Sequence, residues 1–278
     1  MPITHPNLHL KKLPGAIPAW QGEITPDDLQ PICQNVREGG GRLVALWGSD
    51  VRAEGKCFAL HVALVNEKGL ICLNVLLPAE PPNYPDISGI FPAANRMQRA
   101  TYDLLGIAAH ESQDQRKWLR HAAWPGGSFP LRKDFVNDPL FNPYELDAYP
   151  FVQVEGVGVH EIAVGPVHAG IIESGHFRFS VVGEKVLRLE ERFGYTHKGI
   201  EKRFESLNVQ QAAKLAGRVS GDSTVAYAWA YAMAAESIAA VIPPDRALWL
   251  RALFLERERI ANHLGEAERE GDIAAQIT

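Results

Sequence analysis

The chain has 278 residues, of which 46% are hydrophobic and 22% charged, with a formal net charge of −5. That length and apolar share allow one large cored domain or two ordinary ones. The acidic balance, with Lys and Arg scattered among carboxylates, sets nucleic acid aside as a partner. Three cysteines, Cys33, Cys57 and Cys72, form no CxxC pair and are odd in number, which fits reduced, buried thiols better than a disulfide framework.

The first stretch, "MPITHPNLHLKKLPG", lacks the apolar core of a secretory signal, because prolines, histidines and lysines interrupt it. From Lys56, "KCFALHVALVNEKGLICLNVLLP" gives two apolar, β-prone runs around "NEKG", which predicts a β-hairpin with Cys57 and Cys72 inside its strands. Prolines in "PAEPPNYPDISGIFPAAN" exclude a central strand over most of that segment. In "RMQRATYDLLGI", Met97, Tyr102, Leu104 and Leu105 suit a short amphipathic helix, ended by Gly106. "WLRHAAWPGGSFPLRKDF" reads as an exposed loop with a basic tail, anchored by Trp118, Trp124 and Phe129.

The order "NYPDISGIFPAAN", "YDLLGI" and "FPLRKDF" resembles the C subunit of respiratory complex I, over roughly residues 43–135. The matching residues are Tyr102, Asp103, Leu104, Gly106 and Ile107, then Pro130 to Asp134. The resemblance implies a docking module without a cofactor. "RMQR", Arg96 to Arg99, departs from it, because that family usually carries acidic residues there and meets a partner through them.

"VNDPLFNPYELDAYPFVQVEG" has several prolines and no period, so a domain boundary is expected near residue 150, giving modules 1–150 and 151–278. The run from His160 to Tyr195 alternates apolar and polar residues and turns at "VGEK", which predicts a small antiparallel sheet. Helical segments follow. Pro243 and Pro244 are expected to end one helix and Asp245 to cap the next. The segment 224–242 is Ala-rich, has no Leu and carries Glu236; a helix packed among helices is expected there, not a membrane span, so any membrane association comes through partners. The predicted class is α+β: an α/β docking module, then a small antiparallel sheet and a helical bundle.

"GPVH" (165–168), "GHFRF" (175–179), "YTHKGIEK" (195–202), "GRVSGDS" (217–223) and "RIANHLGE" (259–266) resemble the large subunit of membrane-bound nickel-iron hydrogenases of the formate hydrogenlyase type and the D subunit of complex I, which share a fold. In those hydrogenases the motif matching "GRVSGDS" carries two cysteines, three apart, with a histidine four residues later. Here the positions hold Ser220, Ser223 and Tyr227. A neutral hydroxyl cannot replace a thiolate that bridges nickel and iron. The chain's cysteines all lie in the docking module, and the family's second ligand pair comes from a region beyond Thr278.

The complex I family places a Tyr and a His at the quinone head group. The His aligns with His176, whereas the Tyr position falls at about Gly221. His176 also reads as a strand histidine bonded to a neighbouring backbone group, and Ser220 as a helix cap. Glu201 is a candidate for proton transfer or an exposed carboxylate at a helix start.

These resemblances imply a membrane-peripheral subunit on the cytoplasmic side of the inner face of the cell membrane, within a complex I or group 4 hydrogenase-related oxidoreductase. His168, His176 and Glu201 are its candidate proton-transfer or quinone-site groups. No cofactor is expected in this chain. Iron-sulfur clusters are expected in a small partner subunit, packed on the face bearing Arg218 to Ser223 and His168, with membrane subunits beyond it. The alternatives are a structural scaffold or a truncated fragment of a large subunit.

Overall fold

The structure, a computed structural model, describes residues 2–55, 57–77, 80–121, 124–136, 148–168 and 172–277, with side chains as far as residue 265. Most of the linker expected before residue 150, namely 137–147, lies outside the described residues. The chain forms two compact units, Met1–Lys11 with Trp20–Lys198, and Lys12–Ala19 with Gly199–Thr278.

Strands β1 (Lys11–Leu13), β2 (Ala19–Ile24), β3 (Arg42–Asp50), β4 (Phe58–Asn66) and β5 (Gly69–Leu77) form a sheet in the order β1-β2-β5-β4-β3, of which β3, β4 and β5 lie wholly in the first unit. β4 and β5 form the hairpin expected at "NEKG", with Asn66 opposite Gly69. Cys72 lies in β5, but Cys57 does not belong to a strand: β4 starts one residue later, at Phe58. The period-two pattern sends Phe58, Leu60, Val62 and Leu64 of β4 and Ile71, Leu73, Val75 and Leu77 of β5 to one face, all buried. Helix α1 (Pro26–Glu38) covers that face with Leu29, Ile32, Cys33 and Val36, spaced three or four apart.

Helix α2 (Ala94–Leu105) ends where expected, with Gly106 at φ 75 donating its N–H to the Tyr102 carbonyl. Its buried face differs from the simple apolar reading. Tyr102 is exposed, while Gln98, Arg99 and Asp103 are buried. Gln98 accepts the Ile87 N–H at 3.1 Å and donates to the Asp86 carboxylate at 2.7 Å, whereas Arg99 and Asp103 face the chain's own 112–120 segment, where Asp103 accepts the N–H groups of Trp118 and Leu119 at 2.7 Å and of Arg120 at 3.2 Å. One carboxylate thus takes up the donors of an irregular segment that no sheet could satisfy.

The "PLRKD" stretch closes the module by similar means. Arg132 donates from Nε to the Leu105 carbonyl at 2.8 Å, the Lys133 N–H donates to Asp50 at 2.8 Å, and Asp134 pairs with Arg52 at 2.7 Å. Burial raises the Asp50 pKa, but hydrogen bonds from Arg52 and from the Lys133 and Arg52 amides, with the Arg52 charge, outweigh it and hold the carboxyl below its ordinary value. Short parallel strands β6 (Asn83–Pro85) and β7 (Ala108–His110) flank α2 in sequence.

Strands β8 (Val159–Val164), β9 (His176–Val182) and β10 (Lys185–Arg192) form the antiparallel sheet expected around "VGEK", in order β10-β9-β8. It belongs to the first unit and is tied to the α2 region by ion pairs. Arg96 meets Glu191 and Arg116 meets Glu190, at 2.8 and 2.9 Å.

The second unit is helical, with α3 (Ile200–Phe204), α4 (Val209–Ala216), α5 (Thr224–Ala239) and α6 (Asp245–Ile277). Asn208 and Gln211 cap α4 reciprocally. α5 stops before the prolines. Ala240 adopts φ 52 and Val241 donates its N–H to the Glu236 carbonyl at 2.9 Å, so a left-handed residue ends the helix and Pro243 and Pro244 follow it. Asp245 is the first residue of α6, where its charge complements the helix dipole; it does not sit in the cap position ahead of the helix. Glu236 and Arg251 join α5 to α6 at 2.5 Å, and the Ser237 hydroxyl donates to the Pro14 carbonyl at 2.6 Å. Among the described residues no helix is long and apolar enough to cross a membrane. The whole is α+β.

Candidate functional site

His168 lies in the connection between β8 and β9, and His176 is the first residue of β9. His168 Nε2 lies 2.8 Å from the Gly175 carbonyl, and His176 Nδ1 lies 3.1 Å from the Gly165 carbonyl. Each ring therefore donates to the backbone at the opposite end of the connection, which staples the two strand ends together. The carbonyl partner fixes the tautomer, because only an N–H can serve there. Gly165 has φ +79, and a Cβ on it would fall 2.1 Å from the Gly175 oxygen and 2.6 Å from His168 Nε2, so this close approach requires glycine.

The His176 ring packs 5.4 Å from that of Phe151, and His168 packs 6.2 Å from Phe177. His176 Nε2 is buried and has no hydrogen-bond partner among the described residues. With Nδ1 committed as donor, the lone pair lies on Nε2.

Glu201 lies in the first turn of α3, behind Gly199 at φ 63, and is exposed. A carboxylate there complements the helix N-terminus. It belongs to the second compact unit, whereas the two histidines belong to the first.

The turn that carries Ser220 and Ser223 is a single 3-10 turn, Gly221–Ser223, leading into α5. Neither serine makes a side-chain cap bond, which corrects the reading of Ser220 as a helix cap. The cap comes from α6. Glu258 accepts the N–H of Val225 at 2.5 Å and of Ala226 at 3.2 Å, and one helical turn further on Asn262 donates to the Asp222 carbonyl at 2.8 Å. A full carboxylate outcompetes a hydroxyl for the first free amides of a helix. The reading from sequence missed Glu258 and Asn262. Their signal was a carboxylate and an amide four apart, on one helix face, in "ERIAN" (258–262).

The donor set at this turn does not fit a nickel-iron cluster. Ser220, Ser223 and Tyr227 offer only hydroxyls, and Tyr227 is 44% exposed. Cys33 sits inside α1, where burial pushes its thiol up to about 12, and burial also raises the Cys72 thiol. Cys57 precedes β4.

"RMQR" is also absorbed by the fold. Arg99, 7% exposed, donates to the Arg116 carbonyl at 2.6 Å, the Lys117 carbonyl at 3.1 Å and the Tyr149 hydroxyl at 2.7 Å. It also pairs with Asp114 at 3.2 Å. Arg96 pairs with Glu191 of β10 and Arg99 with the 114–117 segment and Tyr149, so the arginines that break the acidic pattern serve contacts within this chain.

Residues 23–139 match the family described as respiratory-chain NADH dehydrogenase, 30 Kd subunit. Formate hydrogenlyase subunit 5 of Escherichia coli (strain K12) is 32% identical over 232 residues, 81% of this chain and 41% of that protein. The chain is thus similar to complex I C/D and formate hydrogenlyase-type hydrogenase subunits. Hydrogenase-4 component G of the same organism is 32% identical over 230 residues, covering 81% of this chain and 41% of that one. The fused C/D protein of the NADH-quinone oxidoreductase of Phocaeicola vulgatus is 28% identical over 264 residues, 87% of this chain and 50% of that one. The chain thus spans between two fifths and one half of the length of these curated relatives.

Proposed function

We propose that this chain is a subunit of a membrane-associated oxidoreductase related to complex I and group 4 hydrogenases, supporting electron transfer coupled to ion translocation without holding a nickel-iron cluster itself. The observation that carries this reading is the 220–226 turn. It keeps a defined shape, held from α6 by Glu258 and Asn262, while the ligand positions within it carry Ser220 and Ser223. A scaffold retained with its soft donors replaced suits a role in shaping and transmitting more than in redox chemistry.

In this reading residues 1–150 are the docking module and 151–278 the large-subunit part. A small partner subunit brings iron-sulfur clusters, membrane subunits complete the assembly, and the chain sits peripherally on the cytoplasmic, inner face of the membrane. His168, His176 and Glu201 are the proton-bearing groups. His176 is supported by the open lone pair on its buried Nε2, and Glu201 by its exposed place at the start of α3. No direct redox step is assigned to a group of this chain.

The experiment is nickel and iron content, by elemental mass spectrometry, of the complex co-purified with this chain from its own host. Iron without nickel supports the reading. Stoichiometric nickel overturns it, because the ligands would then come from residues other than those at the α5 turn.

A further inference from the structure

Ser49, His61 and Asn74 stand on three adjacent strands, β3, β4 and β5. His61 lies directly opposite Trp47 on one side and Asn74 on the other, and Ser49 is two residues along from Trp47. All four side chains therefore share one face of the sheet. It is the face away from α1, because Leu60 and Val62, the neighbours of His61, enter the core.

The contacts are short and directional. His61 Nδ1 lies 2.8 Å from Asn74 Oδ1, and His61 Nε2 lies 2.9 Å from Ser49 Oγ. An amide oxygen only accepts, so Nδ1 carries the ring proton, Nε2 is the acceptor and the Ser49 hydroxyl donates to it. The Trp47 indole stacks on the imidazole, with centroids 5.2 Å apart and planes 24° from parallel, and holds the ring in place. A hydroxyl bonded to a basic nitrogen whose tautomer is set by a third group is the arrangement that activates a serine nucleophile. Ser49 is partly exposed, and it lies on the outermost strand of the sheet.

We propose that Ser49 is a nucleophile that takes up the acyl group of an activated ester. Ser49 Oγ forms the bond to the acyl carbon, its proton passes to His61 Nε2, and the ester oxygen leaves with that proton, so the products are acyl-serine and a free alcohol. His61 is the base. Asn74 is a positioning residue, which acts only through the tautomer of His61. Trp47, 45% exposed on the same face, offers an apolar platform beside the hydroxyl and favours an apolar acyl chain.

The test is the reaction of the full chain with p-nitrophenyl butyrate, read as the burst of p-nitrophenol and as butyryl groups located by peptide mass spectrometry. The expected result is a stoichiometric burst with the butyryl group on Ser49, abolished in Ser49→Ala and slowed about 100-fold or more in His61→Gln. Asn74→Leu is expected to be as slow as His61→Gln, whereas Asn74→Asp, which can only accept from Nδ1, keeps the rate. That rescue separates a role in setting the tautomer from a role in folding, and near-ultraviolet circular dichroism checks that each variant stays packed. Ser220 and Ser223 are internal controls and stay unmodified. A chain without butyryl on Ser49, a rate unchanged in His61→Gln, an Asn74→Asp variant as slow as Asn74→Leu, or control serines acylated as fast as Ser49 overturns the proposal.

Discussion

Glu258 on α6 accepts the backbone N–H of Val225 on α5 at 2.5 Å, so the first turn of one helix is closed by a carboxylate from the next. Removing an N-cap acceptor costs about 0.5–2 kcal/mol, and a charged acceptor belongs at the upper end. Glu258→Ala is therefore expected to lower stability by about 2 kcal/mol and to speed amide exchange at Val225 and Ala226. Ser220→Ala and Ser223→Ala should each cost under about 0.5 kcal/mol, as surface changes without a cap bond do. Hydrogen exchange resolved by NMR separates these; equal loss of protection in all three variants would contradict the assignment.

Asp103 is expected to behave as a structural keystone of the first unit. It is 1% exposed and accepts three backbone N–H groups. Asp103→Ala leaves those donors unpaired at about 1–3 kcal/mol each before relaxation, so urea denaturation should show a marked drop in midpoint. Tyr102→Ala, one residue away and exposed, serves as the control, and a drop no larger than the control's would remove Asp103 from this role.

Acid should loosen the first unit early. Asp50 and Glu190 have pKa values below their ordinary 3.8 and 4.5. For Glu190 burial raises the pKa, and hydrogen bonds from the Val152 amide, Arg188 and Arg116 outweigh it. A carboxylate depressed in the fold contributes stability that is fully present above its unfolded value and is lost as pH falls toward its folded value. Stability is thus expected to be flat from neutrality down to about pH 5 as regards these groups and to fall below that. Asp50→Asn should flatten the acid limb of a pH-dependent thermal melt while lowering stability at neutral pH; an unchanged acid limb would count against the Asp50–Arg52 pair as its source.

Gly165→Ala should disrupt the connection that holds His168 and His176. The added Cβ meets the Gly175 oxygen at 2.1 Å in a backbone with φ +79, so both steric overlap and left-handed strain oppose it. We expect at least about 2 kcal/mol of destabilisation, together with shifted NMR signals from both histidine rings. A variant with native ring signals would mean that the connection relaxes freely.

Within the proposed function, Glu201→Gln is expected to lower coupled ion transport in vesicles while leaving assembly of the complex intact. Unchanged transport in a correctly assembled variant takes Glu201 out of the account.

Much of the fold was legible in the residues alone. The β4–β5 hairpin follows from alternating residues around "NEKG", the end of α2 from Gly106, and the small sheet from alternation around "VGEK". These are local patterns, set by the periods of strand and helix and by the φ freedom of glycine. The absence of thiolates at Ser220 and Ser223 was likewise settled by residue identity alone.

Only the tertiary structure decided which polar groups are spent inside the fold. Composition cannot tell that Asp103 faces inward while Tyr102 faces water, that Arg99 belongs to Tyr149 and the 114–117 segment, or that Glu258 and not Ser220 caps α5. Each of these depends on segments between 15 and 50 residues apart in sequence meeting in space. A buried donor takes whichever acceptor the packing brings within hydrogen-bond reach, and the strongest available acceptor wins.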